Sequence, residues 1–243
     1  MGDEFINEEK GIEDLRDIKD ILDRADIEYW LDHGSLLGAV RDKRFIPWDN
    51  DIDLSTMSTE IDKIIAEIPE IEKRGFKIIV TDFNIEMRRS SVPINIIVMR
   101  LKGDAVWTLF SGDGGDSIEG RGIKKQFRTF IRKTYKLLFS NKKIMLVRKF
   151  FKMLPAPIQD ISYKMVWTVR KRWGKKYTPI VVPKSYYDDL GKISFYGMVF
   201  NTPAPVEDYL SLKYGKDWKK PRKEWVFWRD DGAIKEGFDI PEA

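Results

Sequence analysis

Apolar positions recur along this chain at two periods, and each change of period marks an element. Over residues 8–25, Ile12, Leu15, Ile18, Ile21 and Leu22 fall three or four apart with polar residues between, which predicts an amphipathic helix. Ile27, Tyr29 and Leu31 then alternate, the period of a short strand running into Gly34-Ser35. "SLLGAV" reads as a helix or tight turn packed behind that glycine, and "NDIDLSTM" as a second strand. Thr59 followed by Asp62 resembles a capping box, and Ile61, Ile64, Ile65 and Ile68 carry a helix on towards Gly75. "FKIIV", "NIEMR" and "PINIIVMRL" form a strand series, the last apolar enough to be central. "KISFYGMVF" suits a strand or hairpin, and Pro205 with Glu207 opens a helix, "VEDYLSLKYG", that Gly215 closes. No internal repeat is visible. Strands and helices mix, so the expected class is α+β: a mixed β-sheet flanked by helices. A core over 1–110, a basic and mainly helical insertion over 111–180, and a return to the core over 181–243 complete the plan.

Charge changes the picture in one region. The formal net charge is only +4, yet residues 121–176 hold eighteen Lys and Arg against Asp160 alone. A mildly acidic body therefore carries a strongly basic segment. That segment mixes cations with aromatic and aliphatic residues, as in "IMLVRKFFKMLPAPIQDISYKMVWTVRKRW". It suits either a solvated helical pair or an interfacial helix on an anionic membrane surface. Nucleic acid is not the expected partner, because no recognition motif accompanies the charge.

The chain has no cysteine and a single histidine, His33. Disulfides, zinc ribbons and thiol nucleophiles are excluded, and any bound metal must take oxygen ligands, as Mg²⁺, Mn²⁺ or Ca²⁺ do. The acidic start "MGDEFINEEK" lacks a signal peptide's apolar core. No apolar run approaches the roughly 20 residues of a spanning helix. The expected location is cytoplasmic, with peripheral attachment at the inner face of the membrane.

The candidate chemistry lies in "FIPWDNDIDLS". In a strand, Asp49, Asp51 and Asp53 share one face and Asn50, Ile52 and Leu54 the other. Like charges about 6.6–7 Å apart repel unless a cation lies among them. Mg²⁺ uses one or two carboxylates and spends its other positions on water and substrate phosphate. A solvated edge is the bland alternative. A calcium loop fails because Leu54 stands where its turn requires glycine.

A strand, then Gly-Ser opening a helix, then an Asp-x-Asp strand resembles the nucleotidyltransferase superfamily. The longer stretch "DHGSLLGAVRDKRFIPWDNDIDL" resembles the narrower LicD family, which includes fukutin and fukutin-related proteins. It matches the pattern G-[ST]-L-L-G-x-x-R at Gly34, Ser35, Leu36, Leu37, Gly38 and Arg41. The pattern F-I-P-W-D-x-D-x-D follows from Phe45 to Asp53. Downstream, "VEDYLSLKYGKDWKKP" resembles the family's "YL…YG.DW..P" block.

This resemblance implies a nucleotidyltransferase-like fold and a phosphotransferase. Such an enzyme moves phosphocholine or a phospho-polyol, such as ribitol or glycerol phosphate, from a CDP-linked donor to a sugar hydroxyl, releasing CMP. The acceptor would be a cell-surface glycan, including one built on a lipid carrier. By position, Asp51 and Asp53 would hold Mg²⁺ or Mn²⁺, with Asp49 a third ligand or an orienting residue. Gly34 and Ser35 would hold phosphates, and Arg41 a pyrophosphate oxygen. Family members carry an aspartate on the later strand where this chain has Asn95, so Asn95 or Glu86 completes the site. The alternatives are a nucleotidyltransferase acting on RNA or protein, and an inactive nucleotide-binding member. His33 reads as a packing residue rather than a base, and Trp48 as a wedge under the aspartates.

Overall fold

Helix α1 (Glu8–Arg24) forms where the periodicity places it, with Asn7 capping its first turn by accepting the Lys10 N–H at 3.2 Å. It buries Leu15, Ile18, Ile21 and Leu22. In this computed structural model, residues 7–81, 83–111 and 177–240 are described, together with Met153 and Pro155. By internal contacts the chain divides into two units, Met1–Thr108 with Ile180–Ile234, and Leu109–Pro179 with Lys235–Ala243. The helical insertion expected over 111–180, with its basic segment 121–176, lies almost entirely outside the described residues.

The first unit continues with β1 (Trp30–Leu31), α2 (His33–Arg41), β2 (Ile52–Met57), α3 (Ile61–Ala66) and α4 (Ile68–Lys73). Three strands follow, β3 (Lys77–Val80), β4 (Asn84–Arg88) and β5 (Pro93–Lys102). Strands β6 (Ala105–Ser111) and β7 (Tyr177–Pro183) cross between the units, and the hairpin β8 (Gly191–Phe195) and β9 (Met198–Thr202) precedes helices α5 (Val206–Tyr214) and α6 (Phe227–Asp230). At the tip of the hairpin Tyr196 and Gly197 both have positive φ, +49° and +74°, the turn whose twist matches paired strands.

One expectation fails here. The capping box at Thr59 and Asp62 is absent, because Ser58–Glu60 forms a 3₁₀ turn and places Thr59 inside it rather than before it. The expected single helix is also two. Pro69 in the first turn of α4 has no N–H to continue α3, so a new helix starts there.

The sheet runs β3-β4-β5-β2-β1-β9-β8 and is mixed. β2 pairs with β5 in parallel and β1 with β9 in parallel, while β1–β2, β3–β4, β4–β5 and β8–β9 are antiparallel. The central position expected for "PINIIVMRL" is met: Ile94, Ile96, Val98 and Met99 are buried in β5 between β4 and β2. This register sets Asn95 beside Asp53 on one side and beside Glu86 on the other. Among the described residues, no helix is long and apolar enough to cross a membrane.

Candidate active site

The three aspartates come together by a different route from the one their alternation suggests. Only Asp53 lies in β2. Asp51 just precedes the strand, and Asp49 stands in a turn where its N–H donates to the Ile46 carbonyl at 3.0 Å. The turn after "FIPW" folds Asp49 back, so a common strand face is not what joins the three. Asn95 nevertheless draws Asp51 and Asp53 together, and the charge of Asp51 acts on Asp49.

Helix α2 supplies the other wall. A Cβ on Gly34 would run into Asp49 Oδ2, so only glycine admits the carboxylate this close to the helix start. Ser35 is buried, and its hydroxyl accepts the N–H of Asp53 at 2.8 Å. It thereby ties the helix start to β2 and keeps its own proton for donation. Arg41 is held elsewhere: Nε and Nη2 donate to the two oxygens of Asp42 at 2.9 and 2.7 Å.

Asn95 bridges the acids. Its amide nitrogen donates to Asp51 Oδ2 at 3.0 Å and to Asp53 Oδ1 at 3.2 Å, while its Oδ1 accepts from Asn84 at 3.1 Å. Glu86 adds charge rather than relief: it pairs with Arg88 at 3.5 Å and its field disfavours ionisation of Asp51. Among the described residues, no Lys or Arg forms an ion pair with Asp49, Asp51 or Asp53. Burial, and then the charge of Asp51, push the Asp49 carboxyl up to about 7. Burial likewise raises Asp51. Burial, then Asp51 and Asp49, raises Asp53 well above the carboxylate range. Burial and mutual repulsion thus leave the cluster short of positive charge.

The donor set fits a hard cation. Among the described residues no three His or carboxylate side chains are placed to hold a metal together. Mg²⁺ needs only one or two carboxylates beside water and phosphate oxygens, and Asp51 and Asp53, drawn to one Asn95 amide, form such a pair.

Behind this cluster lies a second one that sequence reasoning missed. Asp32 is fully buried at the N-cap of α2. Its Oδ1 accepts from the His33 N–H at 2.7 Å and the Tyr209 hydroxyl at 2.6 Å, and its Oδ2 from the Ser55 hydroxyl at 2.7 Å. One turn beyond Tyr209 on α5, buried Lys213 pairs with buried Asp231 at 3.0 Å. Burial opposes the lysine's charge, but Asp231 and Asp32 outweigh it and raise its pKa. His33, at φ +46°, goes the other way: burial first, then Lys213, lowers it to about 4. His33 is buried beside Asp32, its ring Nε2 3.9 Å from Asp32 Oδ2. The link between Asp32 and Tyr209 joins the two motif blocks across 177 positions. A signal for it was present, since Asp32 directly precedes the Gly-Ser helix and both Tyr209 and Lys213 lie within the downstream block.

The start of α2, a glycine against a carboxylate, and acids clustered at the β2–β5 pair make up the candidate site. Comparison narrows it: residues 26–92 match the LicD/FKTN/FKRP, nucleotidyltransferase domain, so the resemblance carried by the motifs holds over that segment. An uncharacterised protein of Rickettsia prowazekii is 33% identical over 64 residues, 26% of this chain and 24% of its own. Ribitol 5-phosphate transferase FKRP of Homo sapiens is 50% identical over 42 residues, 17% of this chain and 8% of its own. The chain therefore spans a quarter or less of the curated relatives it matches. Among solved structures, the lincosamide antibiotic adenylyltransferase LnuA aligns over 81% of both chains at 12% identity and a TM-score of 0.39. The resistance factor ANT(2'')-Ia aligns over 68% of this chain and 97% of its own, at 14% identity and a TM-score of 0.35. These two likenesses are too slight to bear on function.

Proposed function

We propose that the protein is a phosphotransferase that moves a phospho-alcohol group from a CDP-linked donor to a sugar hydroxyl of a glycan, releasing CMP. The observation that carries this reading is the trio Asp49, Asp51 and Asp53, crowded and uncompensated beside the Gly34–Ser35 helix start. Such a cluster is tolerable when a divalent cation and a diphosphate complete it. Asp51 and Asp53 would hold Mg²⁺ or Mn²⁺, which supplies charge neutralisation at the phosphoryl centre. The chain's own part is alignment. Gly34 carries no side chain between the start of α2 and Asp49, and the Ser35 proton together with the N–H groups at the start of α2 can donate to a phosphate. Asn95 keeps the two ligands at a fixed spacing. Asp49, with a carboxyl that holds its proton up to about pH 7, is the group suited to take the proton of the attacking hydroxyl. The similarity to a ribitol 5-phosphate transferase supports a donor of this kind.

The test is direct. Incubation with CDP-choline, CDP-ribitol or CDP-glycerol plus Mg²⁺ should release CMP from one of them, and release from none would end the proposal. A second reading is favoured by Asn95 itself, which already occupies both acids and brings no charge. In that case the protein binds nucleotide without turnover, and CMP would bind while no donor is consumed. The basic segment 121–176 would bring the protein to an anionic membrane that presents the acceptor. Sedimentation with anionic liposomes at low salt, lost as salt rises, is the expected behaviour.

A further inference from the structure

A groove on the first unit plays no part in the chemistry above. Between Lys216 and Arg229 the chain carries six Lys and Arg against Asp217 and Glu224. There Arg222, Lys223, Glu224, Trp225, Arg229 and Asp230 line a cavity of about 510 Å³. Arg229 and Asp230 neutralise each other through two hydrogen bonds of 2.7 Å, and Asp230 also accepts the Val226 N–H at 2.8 Å. Arg222 and Lys223 add two more cations, against Glu224 and the already paired Asp230.

Both cations are laid over indole rings. The Arg222 guanidinium is 5.8 Å from the centre of Trp225, and the Lys223 ammonium is 5.3 Å from that of Trp48. Trp48 is the residue before Asp49. On the other side, Trp225 packs on Tyr214 with ring centres 4.9 Å apart. Burial first, then the charges of Asp231, Asp32, Asp53 and Asp49, hold the Tyr214 hydroxyl well above its usual range. The groove therefore reaches the neighbour of Asp49 through the contact of Lys223 with Trp48. An anionic substrate group cannot rest on the uncompensated carboxylates, whereas the neighbouring groove offers the opposite sign. Arginine is the side chain best matched to a phosphate, and an indole face suits the apolar face of a sugar ring.

We infer that this groove binds a phosphorylated sugar, its phosphate on Arg222 and Lys223 and its ring against tryptophan, and that this sugar belongs to the acceptor. Only the word "acceptor" rests on the transfer reading. Tryptophan fluorescence titrated with glucose 6-phosphate, glucose and CMP tests it. The expected result is binding of glucose 6-phosphate but not of glucose. The double variant Arg222→Gln/Lys223→Gln should weaken it by about tenfold or more, and Asp51→Asn should leave it within about threefold. Both substituted residues are exposed, so the fold survives the change. No binding to the unaltered protein, or equal binding to the double variant, overturns the proposal. If CMP displaces glucose 6-phosphate and weakens equally in the double variant, the groove serves the donor nucleotide and the acceptor assignment falls. Groove binding as expected with no CMP released from any CDP ester supports the site while striking the transfer reading instead.

Discussion

Two carboxylate clusters flank the start of α2, and they are built on opposite terms. Around Asp32 every charge is met: Tyr209, Ser55 and the His33 N–H saturate the carboxylate, and Lys213 closes the account with Asp231. Around Asp49, Asp51 and Asp53 the acids face one another, with an asparagine amide between them. Burial is common to both, so burial alone does not explain the difference. The first cluster fixes the helix in place. The second is left with its repulsion unrelieved among the described residues.

The contrast can be broken at either cluster. The largest effect is expected from Lys213→Met, which strands buried Asp231. It should cost about 3–5 kcal/mol of stability in urea unfolding. Asp53→Asn should do the reverse, leaving stability equal or higher because repulsion is relieved, while CMP release drops about 10²–10³-fold. If Asp53→Asn instead destabilises the fold, the two clusters are alike and the contrast fails.

The pH dependence separates them further. His33 takes its proton near 6.5 when unfolded but near 4 when folded, so acid favours the unfolded chain through that window. Through His33 alone this costs about 2 kcal/mol between pH 7 and pH 5, while the raised Asp49 and Asp53 carboxyls take up protons on folding and act in the opposite sense. His33→Asn, which tolerates the positive φ, should therefore gain about 2 kcal/mol relative to the unaltered protein over that range. The smallest effect comes from the open cluster. Mg²⁺ competes with the proton that Asp49 holds below about pH 7, so its stabilisation should grow as pH rises past that point. At tenfold excess over its dissociation constant it should amount to about 1.4 kcal/mol in thermal unfolding at pH 8. A gain no larger at pH 8 than at pH 6 would count against a cation at the aspartates.

Local pattern made much of this legible. Alternation and apolar runs located the strands of the sheet, and "PINIIVMRL" announced its own central place because parallel pairing buries both faces. The motifs marked Gly34, Ser35, Asp51, Asp53 and Asn95, and the β2–β5 register does bring Asn95 to the two acids. Turn geometry was not legible: alternation placed Asp49 on a strand, whereas the chain bends there. Nor was Arg41's bond to its own neighbour Asp42. Tyr209 and Lys213 were quoted within a motif, but a lysine one turn along a helix ordinarily reads as solvated. Only the fold shows it buried against residues from distant parts of the chain.

The tight fit of Asp49 over Gly34 makes positions 34 and 49 one unit of inheritance. A methyl at the first would force the Asp49 carboxylate to turn away from the helix start or a shorter side chain to take its place. A library randomised at both should therefore return alanine or serine at 34 more often beside a shorter side chain at 49 than beside aspartate.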